Sequence, residues 1–312
     1  MRNLKLRNAI GAFIAVAVLS ITAITSCTND DEPKYEVQTE QGIDAENLQF
    51  AEFLMSVDSL KSNYAPIVTR GDGDNCYVTI ADAAGGFVGW LIGGRIGVGK
   101  KRGAGYCSSL ASAIVELALS CQEIIPVNSV TLAKQDFSVI SSRYGDDVTD
   151  SLGYYHNCIM VKITQDRAKY TVNDSVNMGL IYDDVVSYCK DYGLYATEFD
   201  APEMKTRMLT QVGNMCDMLV QCGKGELSKE EFVERQSKYL KREYGLTDLE
   251  RGVFKDYIAK ETFYCATLDD NLLRKYAKDL DREIEASAMS NELKKEVSSV
   301  SQIIVNSTLC WR

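Results

Sequence analysis

Between Asp82 and Glu116 the chain carries no acidic residue, and small residues recur at every fourth position: Ala81, Gly85, Gly89, Gly93 and Gly97. Spacing by four places side chains on one face of an α-helix. Phe87, Val88, Trp90, Leu91 and Ile92 fill the rest of that surface. Each glycine inside a helix costs about 1 kcal/mol relative to alanine. A helix carrying several is worthwhile only where another backbone packs closely on the bare stripe. The next helical stretch offers a small face of its own, with Ser108, Ser109, Ser112 and Ala113, and Gly105 rejoins the register of four. The expectation is a close-packed helical hairpin with a basic turn from Arg95 to Arg102, a positive island in a chain of formal net charge −10.

Two chemical readings compete for the same block. The stretch G94-R-I-G-V-G-K100 fits the spacing of a phosphate-binding loop. That chemistry also requires Ser or Thr after the lysine to hold a metal ion. Lys101 stands there instead, and no hydrophobic strand ending in Asp follows, so a nucleotide is not expected. The second reading is a cysteine nucleophile. C107-S-S-L-A-S-A-I-V-E116 would place a thiol at a helix N-terminus, where the dipole and nearby Lys100, Lys101 and Arg102 lower its pKa. The chain's one histidine, His156, follows in Y-Y-H-N-C-I-M-V. This order resembles the papain-like cysteine peptidases and their cell-wall hydrolase relatives, in which a Cys opens a helix and a His opens a strand. The pattern departs from theirs at Lys101, where an oxyanion-stabilising Gln would stand, and before His156, where Gly or Asp is usual. Cys107 and His156 are therefore candidates without a committed catalytic role.

The glycine block also resembles glycine-zipper segments of outer-membrane lipoproteins and membrane-active peptides. Downstream, D150-S-L-G-Y-Y-H-N157 is similar to a D-S-x-G-x-x-H-N element of uncharacterised exported bacterial proteins, a resemblance that implies no chemistry. Ala83 to Gly99 is slightly short for a membrane span, which takes roughly 20 residues. A hairpin buried in a soluble domain is favoured over one that inserts into a bilayer on demand.

The first 26 residues have the layout of a secretory signal: Arg2, Lys5 and Arg7, then an apolar run to Leu19, then I24-T-S-C27. That ending resembles the lipobox of bacterial lipoproteins, which implies cleavage before Cys27 and a lipid on its thiol. T28-N-D-D-E32 resembles the acidic export tag of Gram-negative surface lipoproteins. The expected location is the outer membrane, anchored by that lipid and exposed at the cell surface. Acidity argues against nucleic acid, whose binding needs a basic face. Ten cysteines less the lipidated one leave an odd number. There is no CxxC pair, and scattered buried thiols are expected.

The organisation expected is a signal peptide over 1–26, an acidic tether over 27–42, a region over 43–145 holding one helix and the glycine hairpin, and a helical domain over 146–312. The first helix should bury Ile43, Leu48, Phe50, Phe53, Leu54, Val57 and Leu60 and stop before Pro66. A loop at 69–75 and a short extended stretch from Pro126 to Gln135 follow, and a helix is expected from Asp174 to Asp191. Capping boxes at S228-K-E-E231 and T247-D-L-E250, and a third at T267-L-D-D270, mark later helix starts. The fold class is mainly α: roughly nine helices in one or two bundles, with little β structure. The functional expectation is a non-enzymatic cell-envelope lipoprotein acting as a structural or interaction module, with no cofactor and no metal. Its partners would be the membrane, through Cys27, and a protein at the cell surface. A membrane-active, toxin-like or bacteriocin-like role for the hairpin is the alternative, and a Cys107/His156 hydrolase the third.

Overall fold

A computed structural model describes residues 40–64, 76–126 and 152–311. The signal segment, Cys27, most of the acidic tether, the loop at 69–75 and the stretch after Pro126 lie outside the described residues. From Glu40 onward the chain forms one unit, mainly α-helical. In order it runs α1 (Glu40–Lys61), α2 (Cys76–Arg95), α3 (Lys100–Cys121), α4 (Leu152–Gln165), α5 (Arg167–Tyr170), β1 (Thr171–Val172), β2 (Ser175–Val176), α6 (Met178–Asp191) and α7 (Pro202–Gly223). Then follow α8 (Lys229–Tyr244), α9 (Asp248–Gly252), a π-helical turn (Val253–Ile258), α10 (Ala259–Cys265), α11 (Asp270–Ala286) and α12 (Asn291–Cys310).

Local chemistry sets most of the boundaries. Ser228 and Thr247 each accept a hydrogen bond from the backbone N–H three residues on, while Glu231 and Glu250 reach back, so both capping boxes form. Gly245, at φ +62°, ends α8 in the left-handed conformation. At the third expected box the cap is Asp269, which accepts from the N–H groups of Asn271 and Leu272. Asp174 does not open a helix. With Asn173 it sits at positive φ in the two-residue turn between β1 and β2, the backbone hand that such hairpins favour. The helix begins four residues later, where Asn177 caps Leu180. On α1, Phe50, Phe53, Val57 and Leu60 are buried, whereas Leu48 is 62% exposed and so belongs to the opposite face.

The hairpin α2–α3 stands at the centre. Residues Cys76 to Gly93 of α2 are all buried. α12, α10 and the π turn cover α2, while α4, α6 and α7 cover α3. α12 also packs on α4, and α11 bridges α12 and α1. The hairpin and the C-terminal helices therefore share one core across the boundary expected near residue 145. Aromatic side chains fix the contacts: Phe87 stacks on Phe254 at 6.0 Å between ring centroids, and Tyr106 on Phe199 at 4.1 Å.

Candidate functional site

The glycine face of α2 meets the backbone of α3. A Cβ built on Gly89 would lie 2.0 Å from the Gly103 carbonyl oxygen, and one on Gly103 would lie 2.0 Å from that of Gly89. Likewise Gly85 faces the Cys107 carbonyl at 2.5 Å, and Gly93 that of Gly99 at 2.5 Å. The register on α3 is thus Gly99, Gly103, Cys107 and Ala111, also spaced by four. It is not the serine face: Gly105 points elsewhere, towards Leu152 and Leu194. Ala81 is fully buried. Gly97 does not belong to the stripe, because α2 ends at Arg95. It sits at φ +80° in the turn, with no atom near its missing side chain.

At the far end of the hairpin from the turn, four helices bring polar groups together inside the core. Asp82 on α2, Ser112 on α3, His156 and Asn157 on α4, and Ser307 on α12 are all buried. His156 Nδ1 lies 2.8 Å from Asn157 Oδ1, and Asn157 Nδ2 donates to the Asn306 carbonyl at 3.3 Å. That second bond orients the amide, so Nδ1 carries hydrogen and donates. Nε2 lies 2.9 Å from Ser112 Oγ and 3.3 Å from Asp82 Oδ1. The Asp82 contact is an ion pair without hydrogen-bond alignment, and Asp82 Oδ1 accepts no hydrogen bond. Asp82 Oδ2 accepts from Ser307 Oγ and, at 3.1 Å, from Trp311 Nε1. Burial disfavours the imidazolium, but the attraction of the Asp82 carboxylate and the hydrogen bond to Asn157 outweigh it, and the His156 pKa is raised. Gly153 explains the spacing of the downstream motif: a Cβ there would meet the Asn306 side chain at 2.6 Å, so α4 and α12 touch one helical turn before His156.

Cys107 takes no part in this centre. Its Sγ lies 3.6 Å from Met208 Sδ, and burial pushes its pKa up to about 12. The helix-dipole argument fails because Cys107 stands in the third turn of α3, beyond the N-terminal amides. His156 has both ring nitrogens engaged elsewhere, so the two candidates form no nucleophile–base pair. Ser112, His156 and Asn157 do have the connectivity of a serine–histidine–amide relay. All three are closed to solvent, and Ser112 Oγ also lies 3.1 Å from the Ser108 carbonyl oxygen and 3.0 Å from Met160 Sδ, alternative acceptors for its one hydrogen. Cys121, Cys158, Cys189, Cys216 and Cys222 are free thiols, and burial raises the pKa of Cys216 to about 12 and of Cys222 to about 11.

The sequence reading missed Asp82, Ser112, Ser307 and Trp311. A signal for one pair existed: a lone carboxylate in the middle of an apolar helix needs a buried partner, and the chain has one histidine to offer.

Three further charges of the hairpin are tied to the surrounding helices. Arg95 pairs with Glu250 at 3.2 Å and donates to the Tyr244 carbonyl. Lys100 pairs with Glu292, and Glu116 with Arg167. Beside the turn lies a cavity of about 490 Å³ lined by Trp90, the segment from Gly97 to Arg102, Glu292 and Lys295. Among the described residues, no group of three or more His, Cys, Asp or Glu side chains gathers as a metal site would require. No protein-family model matches the chain, and no curated protein or solved structure is similar to it at a significant level.

Proposed function

We propose that this chain is a lipid-anchored, non-enzymatic helical module of a Gram-negative outer membrane, with the glycine hairpin as its structural centre. The observation that carries this reading is the sealing of the hairpin. Its glycine face is filled by its own second helix, and Asp82, Arg95, Lys100 and Glu116 are each matched by an opposite charge from a covering helix. A bare stripe kept for an outside partner would lack that filling. The buried Ser112–His156–Asn157 set supports a structural role, since catalysis needs an approach for substrate. Metabolic labelling with a palmitate analogue tests the anchor. Label is expected on the wild type and absent from Cys27→Ala; an unlabelled wild type removes the anchored reading.

A second reading has one observation in its favour: α2 and α3 are consecutive, and each is long and apolar enough to cross a membrane by length and composition. It requires the hairpin to leave its sheath and bring Asp82 and Glu116 into lipid, at about 2.5–3.5 kcal/mol for a central Asp on insertion scales. Dye leakage from phosphatidylglycerol vesicles separates the two. The module reading expects none between pH 5 and pH 8; leakage by the full chain carrying Cys27→Ala would replace it with the membrane-active one.

A further inference from the structure

We infer that Asp82 and His156 form a proton-dependent latch on the last turn of α12: with His156 charged, the Asp82 carboxylate holds Ser307 and Trp311, and with His156 neutral that turn is released from α2. This goes beyond the reading of the chain as a structural module and does not depend on its anchor. Asp82 and His156 have no exposed side-chain surface. Asp82 Oδ2 takes both donors from α12, Ser307 Oγ and Trp311 Nε1. Its other oxygen, Oδ1, accepts no hydrogen bond and lies 3.3 Å from His156 Nε2. Among the described residues, the imidazole is thus the one cation paired with a carboxylate that water does not reach. Loss of its charge leaves half of that carboxylate without any compensation, which a protein interior relieves by opening to water.

The α12 turn is the part that yields. Asp82, Ser112 and His156 each stand inside a helix, with at least a turn on either side. Ser307 and Trp311 belong to the last turn of α12 and its cap, where the final carbonyls have no intrahelical partner. Helix ends open at lower cost than helix interiors. Other charges do not share the task. Asp82 is the one charged side chain among the described residues that acts on the imidazole. α3 brings Ser112 to it, and its carboxylate, Glu116, one turn on, is engaged by Arg167. α12 carries the thiol of Cys310 next to Trp311, and α6, which also packs on α4, carries Cys189, whose thiol burial pushes up. Lys162, further along α4, is paired with Asp191. The His156 pKa is raised above its ordinary 6.5, so the contribution of the pair is present in mild acid and is lost as pH rises through the folded value. The latch is closed at low pH and opens towards alkaline pH.

The test uses the full chain carrying Cys27→Ala. His156 is the chain's one histidine, so its imidazole gives a single set of NMR signals whose titration is followed directly. Hydrogen exchange read by mass spectrometry, corrected for intrinsic rates, follows amide protection over 303–311 from pH 6 to pH 9.5. The expected result is a loss of protection there of at least about tenfold, the effect of one unit of pKa difference between the held and the released turn. Its midpoint should coincide with that of the imidazole, while 103–113 of α3 keeps its protection. Asp82→Asn keeps an acceptor for Ser307 and Trp311 and removes the charge. It should lower the imidazole midpoint and make protection over 303–311 independent of pH. Circular dichroism checks that this variant is folded; if it is not, His156→Gln replaces it, and the turn should then be equally unprotected at both ends of the range. A turn that stays protected throughout, that opens at a different midpoint or that opens together with 103–113 overturns the inference. So does a folded variant with the wild-type pH dependence.

Discussion

Asp82 illustrates how one residue can bind several helices together. It is a carboxylate in an otherwise apolar helix, and it is tolerated because two helices send it partners: Ser307 and Trp311 from the end of α12, and His156 from α4, itself held by Ser112 and Asn157. A buried pair contributes little over well-packed apolar side chains, but removing one partner strands the other. His156→Leu should therefore destabilise the protein by about 3–5 kcal/mol. Replacing both partners, Asp82→Leu with His156→Leu, should cost less than His156→Leu alone. Urea unfolding of the two variants measures the difference, and a double variant less stable than the single one would show that the polar groups, not the pairing, are what the core requires. Cys107, by contrast, is a small buried thiol, and its raised pKa makes it a poor nucleophile.

At the scale of elements, the glycine hairpin depends on close approach of two backbones. Gly89 and Gly103 each face the other's carbonyl oxygen, which cannot move aside as a flexible side chain can. Gly89→Ala is expected to cost at least about 2 kcal/mol despite the better helix propensity of alanine. Gly213, inside α7, is the control: a Cβ there would meet only the Met178 methyl at 3.7 Å. Gly213→Ala should raise stability by about 0.5–1 kcal/mol. Opposite signs in thermal melts of these two variants would bear out the packing argument; equal signs would reduce the glycines to a matter of propensity. The spacing by four and the hairpin were legible in the sequence, because periodicity follows from helix geometry alone. The partner register was not. Ser108 and Ser109 are the small face in the sequence, but the face of α3 that meets the α2 glycines is Gly99, Gly103, Cys107 and Ala111, because the other faces of α3 are buried too and packing of the whole core sets its rotation.

The molecule as a whole responds to pH through groups on separate helices. His156, Glu116 and Glu296 all have raised pKa values: His156 because Asp82 and its hydrogen bonds overcome burial, Glu116 because burial outweighs Arg167, and Glu296, at about 8, chiefly through burial. A group whose folded pKa lies above its unfolded value gives stability that is fully present below the unfolded pKa and is lost as pH rises through the folded one. For Glu296 that window runs from about pH 4.5 to about pH 8. The contributions of His156 and Glu116 have the same sign and also decline as pH rises. Glu231 and Glu234, held below the usual carboxylate range by Ser228 and by Lys255, work the other way, but Glu231 is exposed and Glu234 half-exposed, so solvent screens both. The midpoint of denaturant unfolding should fall from pH 5 to pH 8.5, and Glu296→Gln should flatten that fall while raising stability at pH 8.5. A variant with the wild-type slope would place the pH dependence in other groups. The same sign argues that mild acid stabilises the folded hairpin instead of freeing it.

From its residue order alone, this chain specified a mainly α-helical protein, the capping boxes at Ser228 and Thr247, the left-handed stop at Gly245 and the hairpin built on a ladder of glycines. Those features depend on periodicity and on hydrogen bonds between residues a few positions apart, so local sequence contains them. Only the tertiary structure decided that Asp82 meets His156 across 74 positions, that Cys107 stands apart from both, that Gly97 serves the turn, and that Trp90 and Lys295 line one cleft with the start of α3. Such meetings are set by how each helix is rotated and which helix covers which. That is fixed by the packing of the whole core and leaves no periodic trace in any one segment.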